Sequence, residues 1–139
     1  MFATRAAAAV GVALLLVPVP SAGAALPVSA TVLHASLAPS GDADGSGMAM
    51  VTLRPAVRRV CATISFSGID KPFAAHVHRR SDGQVVVDLT GSVTGGAKCT
   101  TASRRLIRRI ADQPGRYYVN VHNRAHPSGA VQGALGSHH

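Results

Sequence analysis

A chain of 139 residues with 47% hydrophobic but only 4% aromatic residues and no Trp has room for one modest domain, whose core must be built from Val, Ile, Leu and Ala. Twelve Arg and two Lys against six Asp and no Glu give a formal net charge of +8; this draws the protein to anionic surfaces and leaves few carboxylates for general acid–base catalysis. No Ser-His-Asp elbow, Gly-rich phosphate loop or paired-carboxylate motif is present, and the basic stretches lack the interleaved aromatics of a nucleic-acid binder.

The chain opens with Arg5, then an apolar run from Ala6 to Val17 that is short for a membrane span. Pro18 and Pro20 break the run, and Ala22-Gly23-Ala24 offers a small-x-small cleavage pattern. This is the layout of a secretory signal peptide. Cleavage after Ala24 or Ala25 is expected, removing residues 1–25. Loss of Arg5 takes the net charge from +8 to +7, and residues 26–139 remain as one domain. The predicted product is secreted or extracytoplasmic, with no transmembrane anchor after cleavage.

From Ser29 onward the sequence reads as short strands and turns. "ATVLHASLA" is a strand ending at Pro39, and "PSGDADGSG" is a Gly/Asp/Ser loop. Asp42 and Asp44 in that loop give a D-x-D-G look of calcium loops, but the closing Glu and flanking helices of an EF-hand are missing; a turn is the competing reading. "MAMVTL" and "VCATISF" flank "RPAVRR" as a β-hairpin, with Val60, Ala62, Ile64 and Phe66 on one face. In "PFAAHVH", Phe73, Ala75 and Val77 alternate with Ala74, His76 and His78. "QVVVDL" is the next strand, and "TGSVTGGAK" is a loop leading to Cys99.

"TTASRRLIRRIADQPG" breaks the two-residue period. Ser103 can cap a helix that Pro114-Gly115 ends, with Leu106, Ile107 and Ile110 as its apolar stripe. Arg104, Arg105, Arg108 and Arg109 fall on the opposite side, as a solvated face or as a contact for an anionic envelope surface. "RYYVNVHN" returns to strand, placing Tyr117, Val119 and Val121 against Tyr118, Asn120 and His122. "AVQGALG" is the last strand. The predicted fold is mainly all-β, a small antiparallel sandwich or barrel of about seven strands with one short amphipathic helix.

Cys61 and Cys99 are the only cysteines. An even pair in an exported chain reads as one disulfide; a catalytic thiol is the rival reading, with no CxxC motif behind it. His76 and His78, two apart on a strand, share a face within reach of one ion, and imidazole suits copper or zinc. His122 and His126 join them as candidate metal ligands if the strands are neighbours. The alternative is that these histidines are partly buried polar residues hydrogen-bonded to the backbone, Asn120 or Tyr118. His138 and His139 form a short C-terminal His tail.

Four blocks together resemble the CHRD (chordin) domain family, from about Thr31 to Leu135: "DADGSGMAMVTL", "VCATISFSGID", "AAHVHRRSDGQVVVDL" and "YYVNVHNRAHPSGAVQGAL". Cys61 and Cys99 fall where a disulfide of that family would lie. The resemblance, with the Glu-free, Ala/Arg/Gly/Val-rich composition, implies a secreted bacterial-type member. It implies a non-enzymatic interaction or structural module without a cofactor, meeting an unknown extracellular protein or an anionic envelope surface. The histidine set implies the alternative of a secreted copper- or zinc-binding protein. "HVH" on a β-barrel is also similar to the copper site of Cu/Zn superoxide dismutases, with redox activity as the remote extension.

Overall fold

A computed structural model describes residues 3–4, 6–24 and 29–137. The readings placed on Arg5, Ala25 and the His138-His139 pair lie outside the described residues. Residues 6–24 carry no helix or strand and are exposed. Among the described residues, no helix is long and apolar enough to cross a membrane.

The rest is β-rich, as its two-residue alternation predicts. Eight strands form: β1 (Thr31–Pro39), β2 (Ser46–Arg54), β3 (Arg59–Ser67), β4 (Pro72–Arg79), β5 (Val85–Asp88), β6 (Cys99–Thr101), β7 (Tyr117–Asn123) and β8 (Val131–Ala134). They make one antiparallel sheet in the order β5-β4-β7-β8-β1-β2-β3-β6. β1 joins the two halves: it pairs with β2 along most of its length and with β8 at Ala38 and Pro39. The approach is close at Gly133, where a Cβ would collide with the Ser36 carbonyl.

The sheet rolls into a nearly closed barrel. The strand at one edge, β5, and the strand at the other, β6, are consecutive in the chain, and the segment between them fills the gap. That segment, expected to be a plain loop, contains a single helical turn, α1 (Gly91–Thr94). The Leu89 amide donates to the Ala75 carbonyl of β4 at 2.8 Å, and the Ser92 hydroxyl donates to the Ala62 carbonyl of β3 at 2.8 Å. So the stretch from Leu89 to Ser92 ties β4 to β3 across the gap and covers backbone that the short edge strands leave unpaired.

Inside the barrel, Leu33, Leu37, Val51, Leu53, Val60, Val77, Val119 and Val121 form one apolar cluster. The second helix, α2 (Arg104–Asp112), begins as its sequence dictates, with the Leu106 amide donating to the Ser103 side chain at 3.2 Å. It is too short to persist alone. Ile107 and Ile110 are almost fully buried in the same cluster, and α2 lies against β2 and the turn Pro55–Val57. Each buried isoleucine contributes roughly 1.5–3 kcal/mol of transfer free energy, which is what holds α2 down.

Cys61 and Cys99 are bonded, with Cα atoms 4.0 Å apart, and face each other across β3 and β6. β6 has only three residues, so the bond anchors a strand too short to hold its place by pairing alone. It was the least visible strand in the sequence and accounts for the eighth beyond the expected seven. Closing a span of 38 residues restricts the unfolded chain by about 4 kcal/mol in the chain-entropy treatment. Urea unfolding of a Cys61→Ala/Cys99→Ala variant is expected to show stability lowered by about 2–5 kcal/mol. An unchanged midpoint would show that β6 does not depend on its sulfur bridge.

Candidate metal centre

The pairing of β4 with β7 sets the chemistry. Ala75 opposes Val121 and Val77 opposes Val119, all turned into the core. The intervening residues therefore point outward: Ala74 opposite His122, His76 opposite Asn120, and His78 opposite Tyr118. His76 and His122 are diagonal neighbours, within reach of long side chains across an antiparallel pair. Phe73 departs from the face that alternation has it share with Ala75 and Val77. A register shift between Pro72 and Ala74 turns it outward, where it is 52% exposed with its ring centroid 6.4 Å from that of His122. The bulge adds one residue to the strand, so the alternation counted back from Val77 fails at Phe73.

His76, His78 and His122 converge. One nitrogen from each lies within 4.8 Å of the other two, and His76 Nδ1 is 3.2 Å from His122 Nε2. His78 and His122 are buried although they sit on the outer face of the sheet. Two turns and an aromatic ring cover them. His78 Nδ1 donates to the Gly83 carbonyl at 2.9 Å, and His122 Nδ1 donates to the Pro127 carbonyl at 3.0 Å. Tyr118 stacks on the His78 ring, with centroids 5.0 Å apart and planes 10° from parallel.

These bonds fix the tautomers. A carbonyl oxygen only accepts, so each of the two Nδ1 atoms must carry the proton. In the neutral rings Nε2 then holds a lone pair. The His78 Nε2 is buried with no hydrogen-bond partner. The His122 Nε2 faces His76 Nδ1, which donates to it. On the other side of the His76 ring, Nε2 lies 3.9 Å from Asp88 Oδ1, because Asp88 opposes His76 in the β4–β5 register. Moving the His76 proton from Nδ1 to Nε2, toward this carboxylate, would free a lone pair on each of the three rings, whose ligand nitrogens lie within 4.8 Å of one another. The outer nitrogens of His78 and His122 already have carbonyl partners, the arrangement that orients metal-ligating histidines.

Three imidazoles suit zinc and copper. Ligand nitrogens around a tetrahedral ion lie roughly 3.3 Å apart at metal–nitrogen distances near 2.0–2.1 Å, and the His76–His122 pair already has that spacing. His78 completes the set, with a ligand nitrogen within 4.8 Å of the other two. No sulfur ligand is available from the two cysteines, since they are bonded to each other.

His126 does not join the cluster. It sits across the turn after β7, with its amide held by Asn123 Oδ1 at 2.8 Å and its Nε2 3.6 Å from Asp42 Oδ2. The Pro127 carbonyl, not the His126 ring, is what the turn presents to His122. Asp42 also accepts from the Asp44 amide at 3.2 Å, so the D-x-D-G stretch folds as a turn closed on itself. The four arginines of α2 are exposed. Tyr118, expected as a hydrogen-bond partner of the histidines, meets His78 by stacking instead; Asp88 and the particular backbone groups of Gly83 and Pro127 were not singled out in the sequence. Asp88 alone had a signal there: it is the outward-facing polar residue of "QVVVDL".

The geometry is that of an eight-stranded antiparallel barrel with three histidines gathered on its outer face. The CHRD domain family profile matches residues 28–135, and the chain belongs to that family. No curated protein and no solved structure matches the chain.

Burial, reinforced by repulsion from His122, holds the His76 pKa below the ordinary imidazole range, with Asp88 opposing the shift. The folded ring therefore binds fewer protons than the unfolded one. Its contribution to stability is complete above pH about 6.5 and is lost as pH falls below that value. The carboxylates of Asp82 and Asp88 are held below their ordinary range, by hydrogen bonds from Arg79 and Thr90 respectively, so their losses come at more acid pH. The melting temperature of the metal-free domain is expected to fall between pH 7 and 5, less so in His76→Gln. A flat profile over that interval, or a variant that follows the parent, would remove His76 as the cause.

Proposed function

We propose that this CHRD domain is an extracytoplasmic, non-enzymatic module that holds one copper or zinc ion through His76, His78 and His122. The buried, unpartnered Nε2 of His78 carries the reading. A lone pair shut away from water without a donor costs free energy, and an ion bound by the three rings would remove that cost. The backbone acceptors on His78 and His122 support it, because they leave Nε2 free for a ligand. Copper(II) is expected to bind more tightly than zinc, in the order usual for a nitrogen site.

Export is supported by the leader-like pattern of residues 1–25 and by the Cys61–Cys99 bond, since such bonds persist in oxidising compartments. Binding without catalysis is supported by the covered position of the rings: His78 and His122 are each 8% exposed, whereas metal catalysis needs an open coordination position. The metal-binding reading and the structural reading of these histidines meet in one geometry, as the bonds that anchor the two turns also orient the rings.

Calorimetric titration of the mature chain, shortened by the terminal His138-His139 pair, is expected to give one equivalent of copper(II) and a weaker equivalent of zinc. Ion at about one hundred times its dissociation constant should stabilise the fold by about 2.7 kcal/mol. His78→Ala and His122→Ala should each abolish saturable binding, while His126→Ala retains it. Melting curves unmoved by either metal would end the proposal, as would equal binding after loss of His78.

A further inference from the structure

At the end of the barrel where β4 finishes and β7 begins, a cleft of about 940 Å³ opens between α2 and the turn after β4. Arg104, Arg105, Arg108 and Arg109 form its helical wall. The facing wall is Arg79, Arg80 and Arg116, none of which the helix pattern pointed to. Among the described residues, Asp112 is the only acidic one lining the cleft.

The facing wall is fixed before any ligand arrives. The Arg80 amide donates to the Arg116 carbonyl at 2.8 Å, joining the β4–β5 turn to the segment before β7. Arg79 is spoken for: its guanidinium pairs with Asp82 at 2.6 Å and donates to Gln84 at 2.6 Å. Arg104 donates to the Ala56 carbonyl at 3.4 Å. Among the described residues, Arg80, Arg105, Arg108, Arg109 and Arg116 have no ion-pair partner. Arg104 and Arg108, and Arg105 and Arg109, are like charges four residues apart, a spacing that destabilises a helix. A helix of nine residues thus carries two repulsive pairs and faces three more cations across a concavity.

We propose that this cleft binds a soluble ligand carrying several clustered phosphate groups, linear polyphosphate being the simplest. Guanidinium groups offer planar forks that match phosphate oxygens two at a time. Arginines on both walls can grip a chain of phosphates at once, which a single solvated helix face cannot do. The concavity favours an occupant that enters over a flat lipid surface that rests on protruding residues. The volume is of the size usual for a small-molecule site.

The test is calorimetric titration of the mature chain with sodium tripolyphosphate in metal-free buffer near physiological salt. Sulfate at matched ionic strength and phosphatidylglycerol vesicles serve as parallel arms. One saturable equivalent of tripolyphosphate is expected, with sulfate and vesicles much weaker. Arg80→Gln/Arg116→Gln and Arg105→Gln/Arg109→Gln should each weaken binding about tenfold or more. Lys71→Gln/Arg124→Gln, which removes the same charge at the opposite end of β4 and β7, should leave it nearly unchanged. In ligand-free protein the helix variant should melt higher than the parent, because it relieves the repulsion; this shows that it folds. Vesicle binding without tripolyphosphate binding would overturn the proposal. So would equal weakening by the distal pair, or a helix variant that melts no higher and binds as the parent does.

Discussion

The register of β4 against β7 governs both the interior and the chemistry of this domain. Side chains alternate along a strand, so one residue of slip would exchange the faces. Ala75 and Val77 would move outward, and His76 and His78 would enter a core with no polar partners to receive them. Burying an imidazole among valines without hydrogen bonds costs several times what an exposed valine loses. The apolar face therefore selects the register, and the histidine face follows as its obligatory complement. The placement of the histidines needs no separate folding information.

That dependence explains what was legible. Alternation in "PFAAHVH" and "YYVNVHN" assigns the faces, and the resemblance assigns the family. The Ser103 cap and the Leu106, Ile107 and Ile110 stripe predict α2, and the structure has it as a helix from Arg104 to Asp112. Strand order, by contrast, is non-local. Nothing in the linear order says that β7 lies beside β4, or that β5 puts Asp88 opposite His76. The bulge at Phe73 was hidden for a related reason: an extra residue is visible only against its partner strand. β6 escaped because three residues carry too little periodicity to register. The Gly83 and Pro127 carbonyls have no side-chain signal at all, being backbone groups brought over the rings by turns. The cleft was half legible: the helix arginines follow from periodicity, but Arg79, Arg80 and Arg116 come from two other places in the chain.

A thin core imposes its own requirements. With the apolar interior made largely of Val, Leu, Ile and Ala, the barrel gains less per residue than an aromatic-rich one would. Its weak point is the seam between β5 and β6, where sheet pairing stops. Three devices meet there. The segment from Leu89 to Ser92 bonds β4 and β3, the Ala62 amide donates to the Lys98 carbonyl at 2.8 Å, and the Cys61–Cys99 bond pins β6. Closure by a covalent clamp and a few local bonds substitutes for the continuous ladder that a fully closed barrel would have.

The turn from Arg79 to Gln84 links the histidine face to the arginine-lined cleft. On its inner side the Gly83 carbonyl holds His78 Nδ1, and Gly83 itself has the positive φ of 68° that suits glycine. On its outer side Arg79 grips Asp82 while Arg80 bonds the Arg116 carbonyl. The Asp82 carboxylate also accepts from the Gln84 amide at 3.1 Å, which keeps the turn tight. Pulling Arg79 away from Asp82 would loosen the segment that orients the His78 ring. A fixed turn serves both neighbours: it presents one wall of the cleft and holds the proton of His78 on the nitrogen facing away from the other two rings. Mechanical economy of this kind is what a small barrel permits, since a five-residue spacing between His78 and Gly83 is enough to tie a strand's side chain to its own following turn.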